Sequence, residues 1–186
     1  NIIIKPNLVI MNTSEYLVKE LTKFNINTAF SVSGGGSMFL INAFGKNKNL
    51  NNFYLHHEQS CAMAADVYAR IKKKPAVVCV TTGPGGINAI NGVFGAYTDS
   101  VPMIIISGQV KRSTNVVLQN KTPLRQLGDQ ENDIIHMVRN ITKKTLLVKN
   151  KIDLIKNLNN LIKLTFDGRP GPVWIDIPVD IQGENI

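Results

Sequence analysis

The sequence predicts an α/β protein, a doubly wound and mostly parallel sheet with helices on both faces in a single domain. Three observations carry that expectation. Short apolar, β-prone runs alternate with longer stretches of helical spacing, as crossover-connected parallel strands require. The runs at 76–80 and 101–106 are apolar without alternation, as strands covered on both faces are. Glycine-rich turns, Ser33-Gly34-Gly35-Gly36-Ser37 and Thr81-Thr82-Gly83-Pro84-Gly85-Gly86, follow two of the runs. Turns at that edge of such a sheet form its site.

The elements follow in order. Apolar side chains at Tyr16, Leu17, Leu21 and Phe24 predict a helix over 12–24, and Asn12 to Glu15 has the spacing of a capping box. Met11 reads as a natural start, so residues 1–10 are expected to be a tail or extension and 11–186 the domain. Residues 28–32 read as a strand. The glycines at 34, 35 and 36 let the backbone turn tightly or approach a ligand. A helix over 38–44, a polar loop and a strand at 53–55 come next. The helix predicted over 59–71 sets Ser60, Ala64 and Val67 on one side and is otherwise rich in Cys61, Ala62 and Ala65. So thin a helix can be approached closely, which implies burial or an interface. Lys72 to Pro75 ends it, because the residue before proline disfavours the helical region.

After the strand at 76–80 and the glycine turn, residues 88–97 read as a helix with small residues at Ala89, Gly92, Gly95 and Ala96. The strand at 101–106 leads into a long polar segment, 108–126, and loops of that length are usually functional or mobile. Helices are predicted over 134–139 and 152–165, with a strand at 145–148 between them. Arg169-Pro170-Gly171-Pro172 turns the chain into a last strand at 173–178. There is no internal repeat, low-complexity tract or linker.

Composition narrows the function classes. The 186 residues suffice for one filled core, and an apolar fraction of 44% excludes wholesale disorder. No apolar run reaches the roughly 18 residues of a membrane-spanning helix, and the start lacks the features of a signal peptide. The net charge of +8 is spread over short clusters such as Lys72-Lys73-Lys74 and single residues, without the interleaved aromatics of single-strand binders. We therefore expect no nucleic acid and no membrane partner; the charge reads as solvated faces, the alternative being attraction of an anionic substrate or a subunit. Cys61 and Cys79 have neither CxxC nor metal spacing, which reads as two packed, reduced thiols and a cytoplasmic setting. His56, His57 and His136 show no metal spacing either. His57 reads as a donor at the edge of a site and the other two as structural.

Glu58 stands where the apolar run 53–55 gives way to a helix. An acid there favours the helix dipole by roughly 0.3–1 kcal/mol, or it does chemistry. The wider pattern speaks for chemistry. His57-Glu58-Gln59, Thr82-Gly83-Pro84-Gly85-Gly86-Ile87-Asn88, Asp99-Ser100-Val101-Pro102 and Gly108-Gln109-Val110 resemble the acetolactate synthase and pyruvate decarboxylase-like family of thiamine diphosphate enzymes. Gly168-Arg169-Pro170-Gly171-Pro172-Val173 followed by Asp176-Ile177-Pro178 resembles the end of that family's N-terminal, pyrimidine-binding domain.

The resemblance implies a cofactor, thiamine diphosphate, and a role for Glu58. It would hydrogen-bond the ring nitrogen of the aminopyrimidine and favour the tautomer that takes the proton from the thiazolium carbon. Thr82, Gly83, Pro84 and Asn88 would lie against the pyrimidine. Gly34, Gly35 and Gly36 would reach the substrate. Gln130, with Glu131, resembles a pair that follows an aromatic residue near the substrate in acetolactate synthases. Here Asp129 occupies the aromatic's place and the preceding loop is long. Both departures tell against acetolactate synthesis and against the flavin (FAD) those synthases carry. Lys143 reads as an exposed lysine, with a place on the substrate channel as the alternative.

Family members hold magnesium and the diphosphate through a Gly-Asp-Gly motif in another domain. Gly128-Asp129-Gln130 is the nearest string here and lacks the second glycine. The expectation is therefore half of an active site, completed by a diphosphate-binding domain or subunit that carries Mg2+. The whole would be a carboligase or decarboxylase of a 2-oxo acid, homo-oligomeric as a dimer or tetramer, and this chain alone would be inactive. The alternatives are the pyrimidine-binding subunit of a two-chain decarboxylase and a non-catalytic interaction module of the same fold. A plain nucleotide-binding domain would need an acidic ribose contact on the next strand, and none stands at the expected position.

Overall fold

The predicted capping box opens the first helix, α1 (Thr13–Lys23): Asn12 Oδ1 accepts from the Glu15 amide at 2.9 Å, and Glu15 Oε2 accepts from the Asn12 amide at 3.1 Å. The structure is a computed structural model that describes residues 11–186, so the tail expected at 1–10 lies outside the described residues. Beyond α1 the chain alternates as predicted. β1 (Thr28–Ser31), α2 (Met38–Lys46), β2 (Asn51–Tyr54), α3 (Glu58–Lys72) and β3 (Ala76–Val80) form the first half. α4 (Pro84–Thr98), β4 (Met103–Gln109), α5 (Ile134–Val138), β5 (Lys144–Leu147), α6 (Lys151–Leu164), β6 (Pro172–Pro178) and α7 (Val179–Gln182) complete it.

All strand pairs are parallel and the order is β2-β1-β3-β4-β6-β5. The winding reverses between β1 and β3, and the last crossover, from β5 to β6, runs back against the three before it. A parallel sheet opens a crevice outside the carboxyl ends of its strands at such a reversal. The residues after β1 and β3 are the two glycine-rich turns, so the topology delivers both to one crevice.

Strand residues alternate between two cores. Val77, Cys79, Ile104, Ile106, Val173 and Ile175 pack with Leu17, Leu21, Leu40, Leu158 and their neighbours from α1, α2 and α6. Val78, Val80, Met103, Ile105 and Trp174 pack against Cys61, Ala62, Ala65, Ala89 and Val93 of α3 and α4. The small residues of α3 face α4: a Cβ on Gly92 would lie 2.6 Å from the Ala62 Cβ. The thin helix expected from the sequence is thus buried on that side. Both cysteines are free and buried, as expected.

Several boundaries shift by one or two residues; the larger departures from the sequence expectation are at α4, β4 and α7. α4 begins at Pro84 rather than 88, because proline at the first helical position gives up an N–H that would have no partner anyway. Gly83 turns into it at φ +62°. β4 runs on through Ser107, Gly108 and Gln109, all buried. These residues read as loop because polar side chains inside a sheet need partners that only the fold supplies. α7 has four residues, too few to show a period. Among the described residues no helix is long and apolar enough to cross a membrane.

Candidate functional site

Glu58 is the first residue of α3, and His57 caps that helix by accepting from the Gln59 amide at its Nδ1, 3.2 Å away. The expected edge donor is therefore an acceptor at Nδ1, which leaves Nε2 to donate. The Glu58 side chain turns inward and the residue is only 8% exposed. Its Oε2 accepts from Asn88 Nδ2 at 3.0 Å; Oε1 has no hydrogen-bond partner among the described residues. No cation pairs with this carboxylate among the described residues. Glycine keeps the space in front of it: a Cβ on Gly85 would stand 3.3 Å from Oε1 and 2.9 Å from Thr81 Cγ2. One turn along α3, burial, with the Glu58 charge adding to it, pushes the Cys61 thiol up to about 11, which rules it out as a nucleophile near neutral pH.

The loops around Glu58 are locked together. The Gly36 amide donates to Thr81 Oγ1 at 3.0 Å, and Thr82 Oγ1 donates to the Gly108 carbonyl at 3.0 Å. A Cβ on Gly34 would fall 2.5 Å from the Thr81 Cβ, and one on Gly36 would fall 2.2 Å from Thr82 Oγ1. The triple glycine is thus a fitted piece of the carboxyl edge, with Gly35 alone facing open space. On the other side a Cβ on Gly83 would be 2.1 Å from the Gln130 carbonyl oxygen. Gln130 itself stands at φ +54° and its side chain is exposed.

The structure therefore gathers Gly34, Gly36, Thr82, Gly83 and Gln130 into one cluster, with Glu58, Asn88 and Gly85 adjoining it. Pro84 is exposed on the first turn of α4, so half of the segment expected to be a loop is helix. The long segment after β4 is held by Glu131, whose carboxylate accepts from the amides of Val116 at 2.7 Å, Leu127 at 3.0 Å and Gly128. Lys143 lies at the opposite, amino edge of the sheet, just before β5, where its Nζ donates to the Asp167 carbonyl. It does not border the cluster. A cleft of about 1020 Å³ also lies at the amino edge, lined by Phe24, Leu161 and Phe166 with Lys144, Lys163 and Asp167, away from Glu58 and the glycine turns.

The sequence patterns included Asp176 and Gln109 only as members of motifs, with no role assigned to either side chain, and sequence reasoning missed Gln182; all three are buried at the carboxyl edge. The local signal for such a role was a polar residue inside an apolar run, as at Ile175-Asp176-Ile177. Asp176 accepts from Ser107 Oγ at 2.5 Å and Gln109 Nε2 at 3.0 Å, while Trp174 Nε1 donates to Ser107 Oγ at 2.8 Å. Burial pushes the Asp176 carboxyl up to about 7, against the lowering effect of the Ser107 and Gln109 hydrogen bonds.

A buried carboxylate with one open oxygen, a glycine-made space before it and a tight glycine turn beside it suit a flat, nitrogen-bearing ring. Residues 11–136 match the family described as thiamine pyrophosphate enzyme, N-terminal TPP binding domain. The chain belongs to that family. Among its relatives, the chloroplastic acetolactate synthase of Arabidopsis thaliana is 36% identical over 172 residues, 91% of this chain and 24% of the relative. The acetolactate synthase large subunit of Haemophilus influenzae is 35% identical over 175 residues, 94% of this chain and 29% of the relative. Chloroplastic acetolactate synthase 2 of Zea mays is 36% identical over 172 residues, 91% of this chain and 25% of the relative. The chain thus spans about a quarter of the length of these synthases. As a TPP-binding domain, it carries at its carboxyl edge the open carboxylate just described.

Proposed function

We propose that this chain is the pyrimidine-binding domain of a thiamine diphosphate-dependent carboligase or decarboxylase of 2-oxo acids, similar to acetolactate synthase. The observation that carries the reading is Glu58, buried at a helix start with Oε1 beside Gly85 and without a partner among the described residues. When bound, thiamine diphosphate supplies a thiazolium carbon able to add to a carbonyl. Glu58 would share a proton with the pyrimidine nitrogen at Oε1, while Asn88 fixes the carboxylate through Oε2. General acid–base help of this kind is worth roughly 10²–10⁴ in rate. Thr82, Gly83 and Pro84 would flank the ring, and Gly34 to Gly36 with Gln130 would border the substrate.

The reading includes a second domain or subunit that binds Mg2+ and the diphosphate. It does not include FAD, since Asp129 and the long loop depart from the acetolactate synthase pattern. It also includes a homo-oligomer, a dimer or tetramer, joined through the outer faces of α3 and α4. There Met63, Val67 and Ile71 form an apolar stripe at intervals of four, and Ile87 and Phe94 are exposed on α4. A clean monomer by light scattering at high concentration counts against that interface. The two free, buried thiols support a cytoplasmic setting.

The test is reconstitution. The chain alone binds thiamine diphosphate weakly and turns nothing over. Supplying a diphosphate-binding domain with magnesium restores turnover of a 2-oxo acid, and Glu58→Gln abolishes it. Turnover by the pure isolated chain, or full activity of the Glu58→Gln variant, defeats the reading.

A further inference from the structure

The segment from β6 through α7 braces three different loops of the carboxyl edge with polar side chains, one of them through Gln109 at the end of β4. Asp176, 1% exposed, accepts from Gln109 Nε2, and the same nitrogen donates to the Asn132 carbonyl at 3.1 Å. Asn132 is two residues beyond Gln130, the residue whose carbonyl packs on Gly83. Asp180 accepts from the Arg112 amide at 3.0 Å and from Arg112 Nε at 2.7 Å, which fixes the start of the segment after β4. Burial alone would raise the Asp180 carboxyl, but Arg112 holds it below its ordinary value. Gln182, fully buried, donates from Nε2 to the Gly36 carbonyl at 2.7 Å and to the Ile177 carbonyl at 2.8 Å.

These contacts are direct. The gap bounded by Thr82, Gly83, Gln109, Asn132 and Asp176 has no room for a water molecule. A buried acid without a cation is an unfavourable choice for mere packing. The charged side chain near Asp176 is Asp133, which raises it further; β4 contributes only Ser107 and Gln109, and β6 itself contributes Trp174. What the acid supplies is an acceptor on the one side of Gln109 that turns its amide toward Asn132.

We infer that Asp176 and Gln182 are positioning residues for the thiamine diphosphate site, holding the Gly83 turn and the Gly34–Gly36 loop from beneath. Both lie outside residues 11–136, the region that matches the family. Neither borders Glu58; each acts through a loop. The inference rests on the pyrimidine-binding reading above.

Asp176→Leu and Gln182→Met remove the acceptor and the donor, Asp176→Leu keeping the branching but with methyls larger than the oxygens they replace, while Asp176→Asn keeps one carbonyl for Gln109 at unchanged size. Amide hydrogen exchange is followed on the 186-residue chain without cofactor. Thiamine diphosphate is titrated against the same variants assembled with a diphosphate-binding domain and magnesium, with Glu58→Ala as reference. The expected result is faster exchange at 83–86 and 128–132 in Asp176→Leu, and at 34–37 in Gln182→Met, with α1 and α6 as in the original chain. Each of these two variants weakens thiamine diphosphate binding by about tenfold or more, the effect of a buried group left without its partner. Asp176→Asn recovers most of that loss. Unchanged exchange in the named loops overturns the inference. So does faster exchange spread evenly over α1 and α6, or altered loops with unaltered affinity. If Asp176→Leu does not fold, Gln182→Met decides by the same criteria. If the original chain and Glu58→Ala bind alike, the pyrimidine-binding reading fails, and the loop exchange still decides whether the clamp exists.

Discussion

Gly83→Ala tests the packing at the centre of the site. The glycine stands at φ +62° and ψ −118°, outside the left-handed helical well and strained for an L-residue by about 1–2 kcal/mol. Its added Cβ would lie 2.1 Å from the Gln130 carbonyl oxygen, whereas a carbon meets an oxygen comfortably at about 3.3 Å. The two must separate by more than 1 Å, and neither is free to move. Glu131 holds the segment on one side of Gln130 through three amides, and Gln109 holds the Asn132 carbonyl on the other. Forced overpacking of this kind costs about 1–3 kcal/mol, so the total is about 2–5 kcal/mol. Urea unfolding followed by circular dichroism reads it: with a slope near 2 kcal/mol per molar, the midpoint falls by about 1–2 M. Gly35→Ala is the matched control, since a Cβ there meets nothing within 4 Å and φ is not positive; it shifts stability by about 0.5 kcal/mol or less. Equal effects of the two substitutions, or a loss under about 1 kcal/mol at Gly83, would show that the turn is not wedged against Gln130.

Other expectations follow from the same contacts. Gly92→Ala drives a methyl to 2.6 Å from the Ala62 Cβ, so α3 and α4 must part and the chain loses about 1–3 kcal/mol in the same unfolding assay. Gly95→Ala, on the same helix with nothing within 4 Å, gains about 0.4–1 kcal/mol instead, visible as a higher midpoint. Asp176 gives a pH signature: its carboxyl rises on folding from 3.8 to about 7, so its contribution is complete below about pH 4 and is lost as pH rises through 7. Asp176→Asn removes that loss, about 4 kcal/mol in full, so unfolding at pH 5 and pH 8 should show the variant gaining on the original chain at the higher pH; a constant difference refutes the assignment. Glu131→Gln leaves at least one of three buried amides without an acceptor, and exchange over 116–128 should quicken while α6 stays protected.

Much of the fold was legible in the sequence because the signals were local. Val77-Val78-Cys79-Val80, short, β-branched and bounded by Pro75 and a glycine turn, reads as a strand covered on both faces, and Asn12 to Glu15 announces a helix start by its own hydrogen-bonding groups. Glu58 could be singled out because the residues around it resemble a family pattern, and the glycines could be singled out because their backbone freedom is intrinsic. What those glycines do was not legible: Gly34 and Gly36 could have been a mobile loop until Thr81 and Thr82 were seen against them. The same holds for β4 beyond Ile106, for α7, and for Asp176, Gln109 and Gln182. A polar side chain inside a sheet is stable only if a partner stands opposite, and here the partners are 67 and 146 residues away in the chain. Periodicity and composition act over a few residues, and they settle which segments are strand or helix. Hydrogen-bond satisfaction in the interior is decided by whatever the topology brings within about 3 Å, and only the folded sheet, with its two reversals of winding, determines that.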